Sequence, residues 1–172
     1  MSTISYLNHR RKNMKASKKK SDVDNQQIDN SIFKKIHQIN FLMAEIDGIY
    51  HQAALKLQVS DSVMCVLYAI YDNGDNCLLS QVYKQSGTSK QTVNSALRKL
   101  ENMGIIYLEI YKGKSKKICL TKEGIDYVEK TAARLYMAEN HAFASWKQEE
   151  IDMYISLMEK YKATLQKQVE EL

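Results

Sequence analysis

The chain has 172 residues, no proline and only six glycines, and its formal net charge is +5. That length can bury a core, and an apolar fraction of 44% excludes a chain disordered throughout. So little proline and glycine disfavours a loop-rich β-sandwich and favours long helices. No apolar run approaches the roughly 18 residues of a membrane-spanning helix, and no apolar segment follows the basic N-terminus as a secretory signal requires. We therefore expect a mostly helical cytoplasmic protein that is not bound to a membrane.

The charge is unevenly distributed. Residues 1–20 hold seven basic residues and no acidic one, and residues 79–121 hold eight basic residues against two acidic ones. The rest of the chain holds 10 basic and 18 acidic residues. A basic middle segment in an acidic frame favours a surface that faces a polyanion. A solvated charged face is the alternative.

Two segments come before the basic middle of the chain. Residues 1–25 are polar and aperiodic, and we predict a disordered arm that is inert or touches nucleic acid. From about Asn30, apolar residues recur every three or four positions, which predicts a long helix within residues 26–58. Ser60 is the expected N-cap of a buried central helix that ends at Asn73 and Gly74.

Residues 78–104 have the pattern of a helix-turn-helix. A short helix ends at Gly87, and a second helix begins after Ser89 and ends at Gly104. Every third or fourth residue of the second helix is apolar, which predicts a buried stripe. This stripe comprises Val93, Ala96, Leu97 and Leu100.

The opposite face of the second helix is polar and lacks acidic residues. Amides suit adenine edges, a guanidinium suits guanine, and hydroxyls or ammonium groups suit phosphates. An ordinary amphipathic helix usually mixes glutamate with lysine, and this face does not. The predicted DNA-contacting residues here are Ser89, Lys90, Gln91, Thr92, Asn94, Ser95 and Arg98.

After Gly104 the apolar period shortens to about two, which predicts a β-hairpin with Gly113 at its tip. Lysines decorate the tip and the return strand, so the hairpin resembles a wing lying along a DNA backbone. Protection of an exposed sheet edge is the alternative. Lys112, Lys114 and Lys116 are the predicted wing contacts.

Residues 125–172 are predicted to be helical. Thr121 is the expected cap of a helix that reaches about Phe143, and Ser145 with Gln148 fits a capping box for a last helix. That last helix carries an apolar stripe that needs a partner surface. The stripe comprises Ile151, Tyr154, Ile155, Met158, Tyr161, Leu165 and Val169.

The run SKQTVNSALRKLENMGII, a hairpin and the closing LTKEG together resemble the MarR family of winged helix-turn-helix transcription regulators. The resemblance covers roughly residues 32–172. It implies a mostly α (α+β) fold: a winged helix-turn-helix domain over 59–124, one β-hairpin wing, and dimerisation helices over 26–58 and 125–172. It also implies a homodimer on palindromic double-stranded DNA, repression, and in some members a small-molecule effector.

The wing departs from the family pattern. Family wings commonly carry an Asp-x-Arg element near the tip, whereas this tip reads YKGKSKK. Lys114 lies near the family's arginine position and offers a point charge in place of a rigid fork. We therefore expect this wing to contact phosphates and not to insert specifically into the minor groove.

Other side chains suggest weaker hypotheses. The cysteines show no metal or disulfide spacing and are expected in the core or at its boundary, with Cys77 the best redox candidate. Three tyrosines are predicted to be packing residues, with the lining of an effector cavity as the alternative: Tyr50, Tyr68 and Tyr71. No phosphate loop, nucleophile elbow or zinc motif is present, so we predict neither an enzyme nor a cofactor. A winged helix that binds another protein and no DNA is the competing function.

Overall fold

The structure is a computed structural model that describes residues 30–74 and 77–172. The predicted arm over residues 1–25 and the start of the predicted N-terminal helix lie outside these residues. The chain divides into two units, residues 1–42 and residues 43–172. Helix α1 (Asn30–Lys56) begins in the first unit and ends in the second.

The second unit contains the remaining helices and strands of the described chain. They are α2 (Asp61–Asn73), α3 (Leu79–Gln85), α4 (Lys90–Asn102), β1 (Ile106–Ile110), β2 (Lys116–Leu120), α5 (Lys122–Lys130), α6 (Ala132–Phe143) and α7 (Gln148–Glu170). This order confirms the predicted fold class, mostly α with a winged helix-turn-helix and one β-hairpin.

Helix α2 is the central helix of the core, as its broad apolar face predicted. Six of its 13 residues are buried, and Val66 and Leu67 are fully inaccessible. Helix α4 contributes all four residues of its predicted stripe to the same core. Removing this apolar surface from water is the main favourable term for the unit.

The two strands form an antiparallel hairpin in which Ile106 pairs with Leu120 and Ile110 pairs with Lys116. The segment before α3 adds to this hairpin, because the Ile118 N–H donates to the Cys77 carbonyl at 2.8 Å. The wing is thereby joined to the first helix of the helix-turn-helix as well as to α4.

The LTKEG segment connects the wing to the end of α4. The Thr121 hydroxyl donates to the Gly104 carbonyl at 2.6 Å, and its oxygen accepts from the Gly124 N–H at 2.9 Å. A Cβ atom on Gly124 would lie 2.0 Å from the Ile105 carbonyl oxygen. Only glycine fits this close approach, which explains why the segment ends in that residue.

Two predictions about the C-terminal helices were wrong. The single helix expected from Thr121 to Phe143 is broken at Thr131, whose backbone is non-helical (φ −124°, ψ −89°) and whose hydroxyl donates to the Tyr127 carbonyl. Ser145 does not cap α7, since its hydroxyl donates backwards to the Ala142 carbonyl. The α7 N-cap is Lys147, whose N–H donates to the Glu150 carboxylate at 2.8 Å.

Within the described ranges, no single helix is long and apolar enough to cross a membrane. Helices α1 and α2 meet the length and composition criteria only as a bent pair.

Candidate nucleic-acid interface

Helix α4 separates its buried stripe from its polar face as the sequence predicted. Val93 and Leu100 are fully inaccessible. The side chains on the opposite face are exposed, and no acidic residue occurs on α4 before Glu101. The exposed set comprises Lys90, Gln91, Asn94, Ser95 and Arg98.

Ser89 and Thr92 have a local role at the start of α4. The Ser89 side-chain oxygen accepts from the Thr92 N–H at 3.1 Å, and the two hydroxyls lie 2.9 Å apart. This cap satisfies one of the free N–H groups at the helix N-terminus. It begins the helix so that Lys90 and Gln91 occupy the first exposed turn.

The wing tip is a tight turn. Gly113 adopts a positive φ of 56°, and the Tyr111 N–H donates to the Ser115 carbonyl at 2.9 Å. Lys117 lies 3.8 Å from the Glu109 carboxylate, so part of its charge is compensated. The three predicted wing contacts are all exposed: Lys112, Lys114 and Lys116.

Helices α3 and α4 and the wing line one cleft of about 610 Å³. Four predicted contact residues meet there: Asn94 and Arg98 from α4, and Lys114 and Lys116 from the wing. Arg98 and the two lysines make the cleft cationic despite Glu101. The remaining predicted contacts do not line it: Ser89, Lys90, Gln91, Thr92, Ser95 and Lys112.

Sequence reasoning missed Tyr83 of α3. Its hydroxyl donates to the Asn94 side-chain oxygen at 2.7 Å, and the Lys90 ammonium lies 5.6 Å from its ring centroid. An aromatic residue in a short helix is most often packing, so no local signal distinguished this tyrosine. Only the docking of α3 on α4 reveals the contact.

A second cavity of about 570 Å³ lies between the C-terminal part of α1 and helices α2, α3 and α6, all within the second unit. Two of the three tyrosines named in the sequence hypothesis, Tyr50 and Tyr68, line it. Tyr71 packs edge-on against Tyr136 instead. Among the described residues, no lysine or arginine lines the cavity. Four carboxylates and one histidine line it: Asp47, His51, Asp61, Asp72 and Glu139.

Glu139 is the central acceptor of this cavity. The Tyr50 hydroxyl donates to one of its oxygens at 2.6 Å, and the Tyr68 hydroxyl donates to the other. Burial raises the pKa of Tyr50 to about 12 and also raises that of Tyr68, and the nearby Glu139 carboxylate adds to both shifts. His51 Nδ1 lies 2.9 Å from Asp61 Oδ2.

The cysteines differ in environment. Cys77, the predicted redox candidate, is fully inaccessible, and burial raises the pKa of its thiol to about 11. Because the thiolate is the reactive form, this environment argues against the redox hypothesis. Cys119 is half-buried, as expected for a boundary residue, whereas Cys65 is exposed, so the prediction of a core or boundary position is wrong for Cys65.

The sequence model of the MarR family matches residues 57–110, which run from the end of α1 through α4 to the end of β1. No curated protein matches the chain.

Solved structures of MarR family proteins share the fold. A regulator from Neisseria meningitidis has a TM-score of 0.71 at 15% identity, with 80% of this chain and 97% of that one covered. The Staphylococcus aureus regulator MepR, in its DNA-binding conformation, has a TM-score of 0.64 at 20% identity, with 76% and 98% covered. A regulator from Silicibacter pomeroyi has a TM-score of 0.59 at 18% identity, with 76% and 88% covered.

The sequence match and the fold agree, because residues 57–110 contain the helix-turn-helix and the first wing strand, which line most of the cleft. By these two findings, the chain has the winged helix-turn-helix fold seen in MarR-family regulators, and its residues 57–110 match the sequence model of that family.

Proposed function

We propose that this protein is a cytoplasmic transcription regulator that binds double-stranded DNA as a homodimer, represses from a palindromic operator, and responds to a small-molecule effector. The observation that carries DNA binding is the exposed face of α4, which holds no acid before Glu101 and shares a cleft with two exposed wing lysines, Lys114 and Lys116. Such a helix suits a major groove, and the lysines suit the flanking phosphates. MepR, which shares the fold at 21% identity and a TM-score of 0.57, has been crystallised in complex with DNA.

Binding-site selection with the purified full chain tests DNA recognition. We expect a palindrome whose half-sites are about one helical turn apart, because a two-fold dimer presents two copies of α4. Arg98→Ala should cost on the order of 1–3 kcal/mol at one base pair. Arg134→Ala is the matched control, since Arg134 is exposed on α6 and away from the cleft.

Fluorescence anisotropy at two salt concentrations tests the wing. Lys114→Ala or Lys116→Ala should weaken binding evenly across sequences and reduce the salt slope by about one, whereas Lys130→Ala should not. A chain that binds no duplex in a salt-dependent manner would favour the competing function, a winged helix that binds another protein.

Helix α7 supports the homodimer. None of its residues is buried, and six members of its predicted stripe are exposed in the single chain. An apolar face this long marks an interaction surface. A second copy of the chain is the occupant that fits, because two-fold contacts are the commonest way in which identical chains associate.

Light scattering after size-exclusion chromatography tests the dimer. We expect twice the 19.9 kDa chain mass. Met158→Glu and Leu165→Glu should lower both the mass and the DNA affinity, while Lys162→Glu, also on α7, should leave the dimer intact. A monomer that binds its operator as tightly as the wild type would contradict the dimer.

The second cavity supports an effector that combines an apolar body with a positive charge. Its lining pairs tyrosine and methionine side chains with four carboxylates. A cation there would meet complementary charge and aromatic faces, whereas an anion would be repelled. The cavity lies against α3, the first helix of the helix-turn-helix, and against α2, which packs on its second helix α4.

Three probes that share one aromatic ring test this charge preference: benzyltrimethylammonium, benzyl alcohol and benzoate. The cation should raise the Tm most and weaken operator binding. Glu139→Gln should remove that shift, and Glu149→Gln, exposed on α7, should not. A larger Tm shift with benzoate would refute the proposed effector class.

A further inference from the structure

The contact between Tyr83 and Asn94 joins the two helices of the helix-turn-helix through their polar surfaces. Tyr83 is half-buried on α3, and Asn94 is exposed on α4. The tyrosine hydroxyl donates to Asn94 Oδ1 at 2.7 Å. Asn94 Nδ2 has no hydrogen-bond partner within residues 30–74 and 77–172. One end of the amide is therefore held by the protein, and the other end is available to a ligand.

An asparagine amide has an acceptor end and a donor end, and rotation by 180° exchanges them. The Tyr83 hydroxyl can donate or accept, but a phenol is a better donor than acceptor, so the carbonyl oxygen of the amide is its preferred partner, as observed. The contact therefore turns Oδ1 towards α3 and directs the Nδ2 amino group outwards. Without it, both orientations of an exposed asparagine would be accessible at similar free energy.

We propose that Tyr83 is a positioning residue that presents Asn94 to DNA as a hydrogen-bond donor, so that Asn94 prefers a G·C pair to an A·T pair. This inference rests on the proposed function and deepens it. In the major groove guanine offers two adjacent acceptors, N7 and O6, whereas in an A·T pair the adenine amino group separates two acceptors. An outward amino group matches adjacent acceptors and conflicts with a neighbouring donor.

This assignment differs from the expectation drawn from the sequence, in which Asn94 suits adenine. Bidentate recognition of adenine needs both amide atoms to face the base, one accepting from N6 and one donating to N7. With Oδ1 engaged by Tyr83, the amide is not free to turn both atoms outwards.

The aromatic ring of Tyr83 has a separate role. The Lys90 ammonium lies 5.6 Å from the ring centroid, within the range of a cation–π contact. Lys90 occupies the first turn of α4, where a cation suits a phosphate. The hydroxyl therefore acts on sequence preference through Asn94, and the ring acts on overall affinity through Lys90.

Two substitutions separate these roles. Tyr83→Phe removes the hydroxyl and keeps the ring, whereas Tyr83→Leu removes both. Tyr127→Phe is the matched control, because Tyr127 is half-buried on α5 and its hydroxyl donates no hydrogen bond to the described chain. Thermal unfolding of each variant checks that the winged helix is intact.

The experiment is binding-site selection followed by anisotropy on duplexes that differ at one base pair. Asn94→Ala identifies the pair, since preference there is lost. We expect the wild type to prefer G·C at that pair. Tyr83→Phe should reduce this preference roughly threefold to tenfold, the worth of one hydrogen bond, with little change in affinity for unrelated duplexes. Tyr83→Leu should in addition weaken binding to every duplex.

The outcomes are distinct. If the wild type binds DNA but prefers A·T at that pair, or if Tyr83→Phe has the wild-type preference, the positioning role is wrong and DNA recognition stands. If Asn94→Ala relaxes no position, Asn94 contacts no base, and the inference also fails. If the wild type binds no duplex, the proposed function itself fails and this inference fails with it.

Discussion

The winged helix and helix α7 carry apolar stripes of similar periodicity, yet the structure treats them differently. In the winged helix the stripes of α2 and α4 close on each other, and Leu67 is 0% exposed. On α7 the stripe faces outwards, and Leu165 is 45% exposed. Periodicity shows that a face needs covering and does not show whether the same chain covers it. The apolar stripes of the winged helix are covered within one chain, whereas the described residues leave that of α7 uncovered.

Two single leucine substitutions, one in each region, should change the free energy of unfolding the most. Leu67→Ala should lower the free energy of unfolding by about 2–5 kcal/mol, because it leaves a cavity in a closed core. Leu165→Ala should have an effect that grows with protein concentration, since in the proposed dimer its partner surface lies on a second copy. Urea unfolding at two protein concentrations measures both. A concentration-independent loss for Leu165→Ala would contradict the comparison.

Two glycines of the second unit should respond to alanine with opposite changes in stability. Gly124→Ala should cost about 1–3 kcal/mol, because the new Cβ meets the Ile105 carbonyl oxygen. Gly48→Ala should stabilise by about 0.5–1 kcal/mol, since Gly48 lies in α1 with open space around it. Thermal unfolding of both variants tests this difference in sign.

A serine pair tests the corrected helix starts. Ser89→Ala should cost about 1 kcal/mol through loss of its bond from the Thr92 N–H. Ser145→Ala should change the stability by less than about 0.5 kcal/mol, because Ser145 caps no helix start. If both variants lost the same free energy of unfolding in urea, Ser145 would be a helix cap, as the sequence predicted.

The thiols give the smallest expected effect on the folded protein. Ellman's reagent at pH 8 should modify Cys65 first and reach Cys77 only after unfolding, because Cys77 is buried with a pKa of about 11. The native state retains this proton above pH 9, where the unfolded chain loses it, so the contribution of Cys77 to stability should fall as the pH rises from about 9. Fast native-state modification of Cys77 would contradict its burial.

The helix-turn-helix was predictable because its signals are local. The start of α4 after Ser89, the four-residue buried stripe and the hairpin about Gly113 depend on neighbours within a few residues. The break at Thr131 was not predictable in this way, since its apolar period continues through the break. Its backbone conformation and its hydrogen bond to Tyr127 become visible only in the folded chain.

The amino-acid sequence alone determined the order of elements apart from the break at Thr131, the family resemblance and the set of side chains that face outwards on α4. Tertiary structure decided which of these side chains meet. It placed Tyr83 against Asn94, gathered Arg98 with the wing lysines in one cleft, and brought two tyrosines of different helices to Glu139. The physical reason is range: periodicity and capping act over one or two turns, whereas these contacts join residues that are adjacent only after the helices pack.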